Sequence, residues 1–142
     1  PLDLRHVTMI FVDTGAWYAL AMPADPDHES AKGVLASINE PLLTTDCVVD
    51  ELLTLFVVRG RKSKGIEWRH EVLERGGTNL ERVLDDDFAN ALQIYEQFAD
   101  KAWSFTDCTS YVVMRRLGIK AAFSFDGDFR QFGTVTVLPQ AK

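Results

Sequence analysis

Short apolar runs alternate along this chain with segments whose apolar residues recur every three or four positions, the pattern of strands alternating with helices. The first run, Met9, Ile10, Phe11 and Val12, is β-branched and aromatic in character and stops at Asp13, Thr14 and Gly15, so it predicts a buried strand with Asp13 at its carboxyl end. Helices are predicted over residues 14–22 and about 27–38, separated by Pro23 and Pro26, with Asp25 or Asp27 available as a cap. Residues 41–44 predict a second strand. From residue 46 to about 59, Val48, Val49, Leu52, Leu53, Leu55 and Phe56 keep helical spacing behind a cap at Thr45 or Asp46. A break at residues 60–63 precedes a charged amphipathic helix to about residue 75, ended by Gly76 and Gly77. Residues 78–84 predict a strand or an extended link, and residues 85–99 a helix with an acidic first turn that suits the helix dipole. Thr106 and Asp107 are predicted to cap a helix running to Leu117, with Gly118 as its stop, before two further apolar strands over residues 120–125 and 134–138. This order predicts an α/β fold, a three-layer α/β/α sandwich around a mainly parallel sheet.

The 142 residues suffice for one domain with its own core, expected over residues 9–142. Residues 1–8 carry no pattern and are expected to be a leader, disordered or foreign to the natural chain, with Met9 a candidate start. A content of 46% hydrophobic and 25% charged residues places the chain with globular proteins and not with disordered ones. No run is long enough to span a membrane and no signal peptide is recognisable, so no membrane association and a cytoplasmic location are expected. Cys47 and Cys108, without a CxxC spacing, are expected as buried reduced thiols. The net charge of -6 argues against a protein that simply coats nucleic acid, yet it suits an enzyme that grips an anionic substrate through metal ions held by carboxylates.

In an open α/β sheet the ligand site lies beyond the carboxyl ends of the strands, where Asp13 and Asp126 fall, and Asp107 opens a helix nearby in the predicted order. Carboxylates gathered there from distant segments repel one another, and a cation relieves the repulsion. Each acid also has an ordinary structural reading. Asp13 could belong to a turn, Asp107 could cap its helix beside Thr106, and Asp126 and Asp128 flank a glycine as turn residues do, with Asp128 able to cap a short helical turn that follows it. Helical periodicity puts Asp50 and Glu51 at similar angles to the apolar face and does not choose between them. A phosphatase of the haloacid dehalogenase class needs a second aspartate where Gly15 stands, and a receiver-like signalling module needs paired acids directly after the first strand.

The combination resembles the PIN-domain family along almost the whole chain. MIFVDTGAW at residues 9–17 looks like that family's first strand and first acid, and TDCVVDEL at residues 45–52 is similar to its glutamate-bearing helix, which points to Glu51. WSFTDCTSY at residues 103–111 resembles the third motif, with Asp107 as its acid, and FSFDGDFRQFG at residues 123–133 the fourth, with Asp126. Within the family the likeness is to VapC toxins of toxin–antitoxin pairs. It implies RNA cleavage dependent on Mg²⁺ or Mn²⁺, a catalytic set of Asp13, Glu51, Asp107 and Asp126, and metal ligation by Asp13, Asp107 and Asp126. It also implies a homodimer and a VapB-type antitoxin that blocks the acidic cleft. Ser124 stands where the family often has threonine, and its hydroxyl can serve the same hydrogen bond. Thr14, Thr106 and Ser124 are the expected supporting residues, and Arg59, Arg61 and Lys62 the candidate RNA contacts, with Lys64, Arg115 and Arg116 further basic residues of ambiguous role. The other readings carried forward are a free-standing PIN nuclease, a PIN domain kept for binding alone, and the receiver-like module.

Overall fold

The computed structural model describes residues 8–133 and 135–140. The leader expected at residues 1–8 therefore falls almost wholly outside the described residues. Five strands form one sheet: β1 (Ile10–Val12), β2 (Leu42–Thr45), β3 (Asn79–Glu81), β4 (Ala121–Phe123) and β5 (Thr136–Leu138), in the spatial order β3-β2-β1-β4-β5. Every pairing is parallel, so the mainly parallel sheet expected is wholly parallel. Among the described residues, six α-helices fill the crossovers: α1 (Thr14–Ala21), α2 (His28–Ser37), α3 (Asp46–Val58), α4 (Lys62–Trp68), α5 (Asp85–Gln97) and α6 (Phe105–Leu117). The chain steps outward from β1 through β2 to β3, then returns past β1 to β4 and β5. Right-handed crossovers running in opposite directions place helices on both faces, and the packing agrees: α1 lies against α2 and α3, and α3 against α4, while α5 pairs with α6.

The core is the apolar interior of this sandwich. Phe11, Val12, Leu43, Val48, Leu52, Phe56, Met114, Phe123 and Phe129 are all buried. Trp17, Tyr18, Trp68 and Trp103 are buried with them, as their apolar character suggests. Ala121 and Ala122 bring β4 level with β1, pairing Ile10 with Ala121, Phe11 with Ala122 and Val12 with Phe123. The two central strands thus end together. No helix of the described residues is long and apolar enough to cross a membrane.

Several local expectations shift by a turn. Thr45 caps α3 as expected, accepting from the Val48 N–H at 3.2 Å. The helix ahead of Gly76 is α-helical only to Trp68 and continues as a π-helical turn, Arg69–Glu74. Gly76 follows because a Cβ there would lie 2.7 Å from the Glu71 carbonyl oxygen. Thr106 is not the cap of α6. Ser104 is, and it forms a reciprocal box with Asp107: its hydroxyl accepts from the Asp107 N–H, and Asp107 Oδ2 accepts from the Ser104 N–H, each at 3.0 Å. Asp128 likewise does not cap the turn that follows β4. A 3₁₀ helix, Gly127–Phe132, begins there with Asp126 as its cap, Oδ1 accepting from the Asp128 N–H at 2.9 Å.

Candidate active site

Strand order reverses between β1 and β4, which makes their shared carboxyl edge the switch point where a doubly wound sheet opens a crevice. Asp13 leaves β1 at that edge, its N–H bonded to the Phe123 carbonyl at 3.0 Å. Ser124 and Asp126 leave β4 beside it. The capping box of α6 sets Asp107 in the helix's first turn, and the three carboxylates meet. One oxygen from each of Asp13, Asp107 and Asp126 lies within 4.8 Å of the others.

Each of these carboxylates has one oxygen anchored by the protein. Asp13 Oδ2 accepts from the Ser124 hydroxyl at 3.0 Å, Asp107 Oδ2 from the Ser104 N–H, and Asp126 Oδ1 from the Asp128 N–H. The Ser124 hydroxyl also accepts from the Asp126 N–H at 3.0 Å, so one small side chain ties two of the acids together. Asp13 and Asp107 are buried, whereas Asp126 is exposed at the rim. Burial, reinforced by the charge of Asp107, pushes the Asp13 carboxyl from its ordinary 3.8 up to about 7. Burial also raises Asp107, to about 6, against the Ser104 N–H that favours its charged form and with help from Asp126 and Glu51. Two acids held this far above the normal range are crowded negative groups in need of a countercharge. Thr14, 4% exposed and next in sequence to Asp13, has a hydroxyl without any hydrogen-bond partner among the described residues.

Glu51 lies outside the tight group of three. It is half-buried on α3, which meets α6 at this edge, and its charge is felt at Asp107. Its neighbour Asp50 is exposed. Thr106 is half-buried, and its carbonyl oxygen accepts from the Thr109 hydroxyl at 2.7 Å. Arg59, Arg61 and Lys62 are exposed at the far end of α3 and the start of α4 and are not brought into the cluster. Arg116 is committed elsewhere, bonding Asp87 and Glu81. The cysteines are free, with Cys108 buried and Cys47 half-buried. Burial raises both thiols, which leaves them neutral and poor ligands for a hard ion. Of the histidines, His28 bonds the Ala19 carbonyl and His70 bonds Glu74 on the surface. Ser104 is the supporting residue that pattern reading missed, although Ser104 and Asp107 have the spacing of a capping box.

The donor set is therefore all oxygen, convergent, partly pre-oriented and electrostatically unrelieved, which fits a hard divalent cation. The PIN domain family model matches residues 10–135. The chain belongs to the PIN domain family. Over 132 residues, 93% of this chain and the whole length of the relative, it is 35% identical to the 23S rRNA-specific endonuclease VapC20 of Mycobacterium tuberculosis. The crystal structure of that VapC20, described as a sarcin-ricin loop cleaving toxin, superposes with a TM-score of 0.82 at 33% identity, covering 89% of this chain and 96% of VapC20. A toxin–antitoxin complex from Klebsiella pneumoniae shares the fold at a TM-score of 0.67 and 10% identity, covering 93% and 99% of the two chains. FitAcB from Neisseria gonorrhoeae does so at 0.63 and 15%, covering 91% and 96%. The sandwich and parallel sheet expected of this PIN chain are thus those of known members.

Proposed function

We propose that this chain is a metal-dependent endoribonuclease, the toxin of a type II toxin–antitoxin pair, that hydrolyses a phosphodiester bond of ribosomal RNA. The observation that carries the reading is the meeting of Asp13, Asp107 and Asp126 at the switch point of a PIN sheet. The VapC20 relative, named for cleavage of 23S rRNA, supports the choice of substrate. Asp13, Asp107 and Asp126 would hold Mg²⁺ or Mn²⁺, which when bound promotes attack by water and neutralises charge developing on the scissile phosphate.

The side chains divide the remaining work. Ser124 and the Ser104 N–H fix the Asp13 and Asp107 carboxylates so that little reorganisation is needed at the moment of reaction. Glu51, half-buried on α3, adds negative charge that is felt at Asp107. The Thr14 hydroxyl, otherwise unpartnered, can hold a water against Asp13. No side-chain nucleophile is required.

The same reading includes a homodimer, a VapB-type antitoxin covering the acidic cleft, and action in the cytoplasm, where the two free thiols would stay reduced. Light scattering tests the dimer, and co-purification with the product of a neighbouring short reading frame tests the antitoxin. The central test is incubation of the purified protein with intact ribosomes in Mg²⁺ or Mn²⁺, with primer extension to map new RNA ends. One discrete cut in ribosomal RNA, lost in Asp126→Asn, is expected. Intact RNA across both metals would sink the nuclease reading and favour a domain kept for binding.

A further inference from the structure

The far ends of α1 and α3, together with the chain between α1 and α2, form an open surface cavity of about 270 Å³ lined by Tyr18, Met22, Asp25, Pro26, Arg59 and Arg61. The Arg59 guanidinium lies 4.7 Å over the Tyr18 ring, close enough for a cation–π contact that holds its plane. Tyr18 is itself buried against Phe56, with ring centroids 5.3 Å apart, so the platform under Arg59 belongs to the core and does not move with solvent. Arg69, Arg82 and Arg116 each pair with a carboxylate. Among the described residues neither Arg59 nor Arg61 pairs with any. Asp25, the acid in the lining, uses one oxygen on the Asp27 N–H at 2.9 Å. In a chain of net charge -6, two exposed guanidinium groups at one cavity, against the single carboxylate of Asp25, form a local site for a polyanion.

We propose that this cavity is a phosphate-binding subsite for the RNA strand, in which Arg59, held by Tyr18, and Arg61 grip phosphodiester oxygens a few nucleotides from the bond to be cut. A guanidinium offers paired donors in a plane that matches a phosphate, and fixing that plane beforehand removes part of the ordering cost of binding. The distance suits the role. From Asp13 at its cap, α1 runs about 8 Å to Tyr18 and about 14 Å to Met22, so a strand held in the cavity lies a few nucleotides from the carboxylates. The cleavage arm of the test rests on the ribonuclease reading, whereas the binding arm does not.

The test uses the full chain. Binding of a dye-labelled RNA oligonucleotide is followed by fluorescence anisotropy in EDTA across a range of salt, alongside DNA of the same sequence and competition by inorganic phosphate. Steady-state cleavage is measured in Mg²⁺. For Arg59→Gln with Arg61→Gln, the slope of log affinity against log salt should fall by about 1 to 1.5, since each strand phosphate contact contributes about 0.7. KM should rise about tenfold while kcat stays within about twofold. Arg59→Lys, which keeps the charge and loses the planar fork, should fall between. Arg61→Gln alone, which leaves the Tyr18 contact intact, should show about half the change in slope. Arg75→Gln with Lys101→Gln, an equal charge change elsewhere, should move neither quantity. An unchanged slope and KM in the double variant, or an equal change in the control, would overturn the subsite. Equal losses for DNA and RNA are expected, since both present the same phosphodiester oxygens, and a loss confined to RNA would mean that the sugar hydroxyl is read and would overturn a phosphate subsite. If the unaltered protein cuts no RNA, the proposed function fails, and the anisotropy series still decides the subsite.

Discussion

The hydroxyl of Ser124 donates to Asp13 Oδ2 at 3.0 Å, joining the ends of β4 and β1 across 111 positions of sequence. Because the same oxygen accepts from the Asp126 N–H, Ser124 orients one acid of the site while fixing the backbone of another. Ser124→Ala should therefore cost about 1 to 2 kcal/mol for the unmet partners and lower cleavage by more than tenfold. Ser124→Thr should keep both. Melting curves and single-turnover cleavage of the two variants check this, and an alanine variant with full activity would remove Ser124 from the site.

Asp126 both faces the cluster and caps the 3₁₀ helix, whereas Asp128 lies outside the group of three, supplies the capped N–H and has its carboxyl raised by burial and by the charge of Asp126. Asparagine caps as well as aspartate does, so Asp126→Asn should fold normally and lose cleavage by orders of magnitude. Asp128→Asn should stay within several-fold of the unaltered protein. The reverse ranking would assign the site to the other aspartate.

The raised carboxyls predict how the metal-free protein responds to acid. A carboxyl whose folded value exceeds its unfolded value adds stability that is complete below the unfolded value and is lost as pH rises through the folded one. With Asp13 at about 7 and Asp107 at about 6 against 3.8, melting temperature in EDTA should rise as pH falls from 8 toward 5. Added Mg²⁺ should raise it most at pH 8, where the acids are charged. A metal-free melting temperature that falls over that range would contradict the crowding.

Asp107→Asn separates the structural from the chemical role. The amide oxygen can still accept from the Ser104 N–H, so the capping box survives, while one buried charge disappears. Cleavage should vanish and metal-free stability should hold or increase. A loss beyond about 2 kcal/mol would mean that capping dominates.

Arg116 bonds Asp87 through Nε and Nη2 and reaches Glu81, tying α6 to the start of α5 and to β3. Burial pushes the Asp87 carboxyl up, but Arg116 and the Leu84 N–H more than offset it, so it stays below its ordinary value. Arg116→Ala should destabilise by about 1 to 3 kcal/mol by removing the main partner of the Asp87 carboxylate. A chemical melt measures it, and a loss under 1 kcal/mol would reduce the contact to a surface pair.

Apolar period and glycine or proline punctuation were enough to read most elements, because a buried strand and an amphipathic helix each write their period into the chain. The ends were harder. Thr106 looked like the cap of α6 because it stands beside Asp107, yet Ser104 holds that place, and a cap is chosen by backbone geometry one turn wide. Asp126 looked like a ligand and Asp128 like a cap, and Asp126 is both cap and cluster member. Position in the chain could nominate Asp13, Asp107 and Asp126, because strand ends and helix starts define the edge where ligands bind. Only the tertiary structure could bring their oxygens within 4.8 Å. That distance depends on the β1–β4 register, settled between strands 111 positions apart, and on the docking of α6, whose capping box sets Asp107 in its first turn. Glu51 shows the same division: helical period left it equal to Asp50, and the docking of α3 against α6 half-buried one and left the other in solvent.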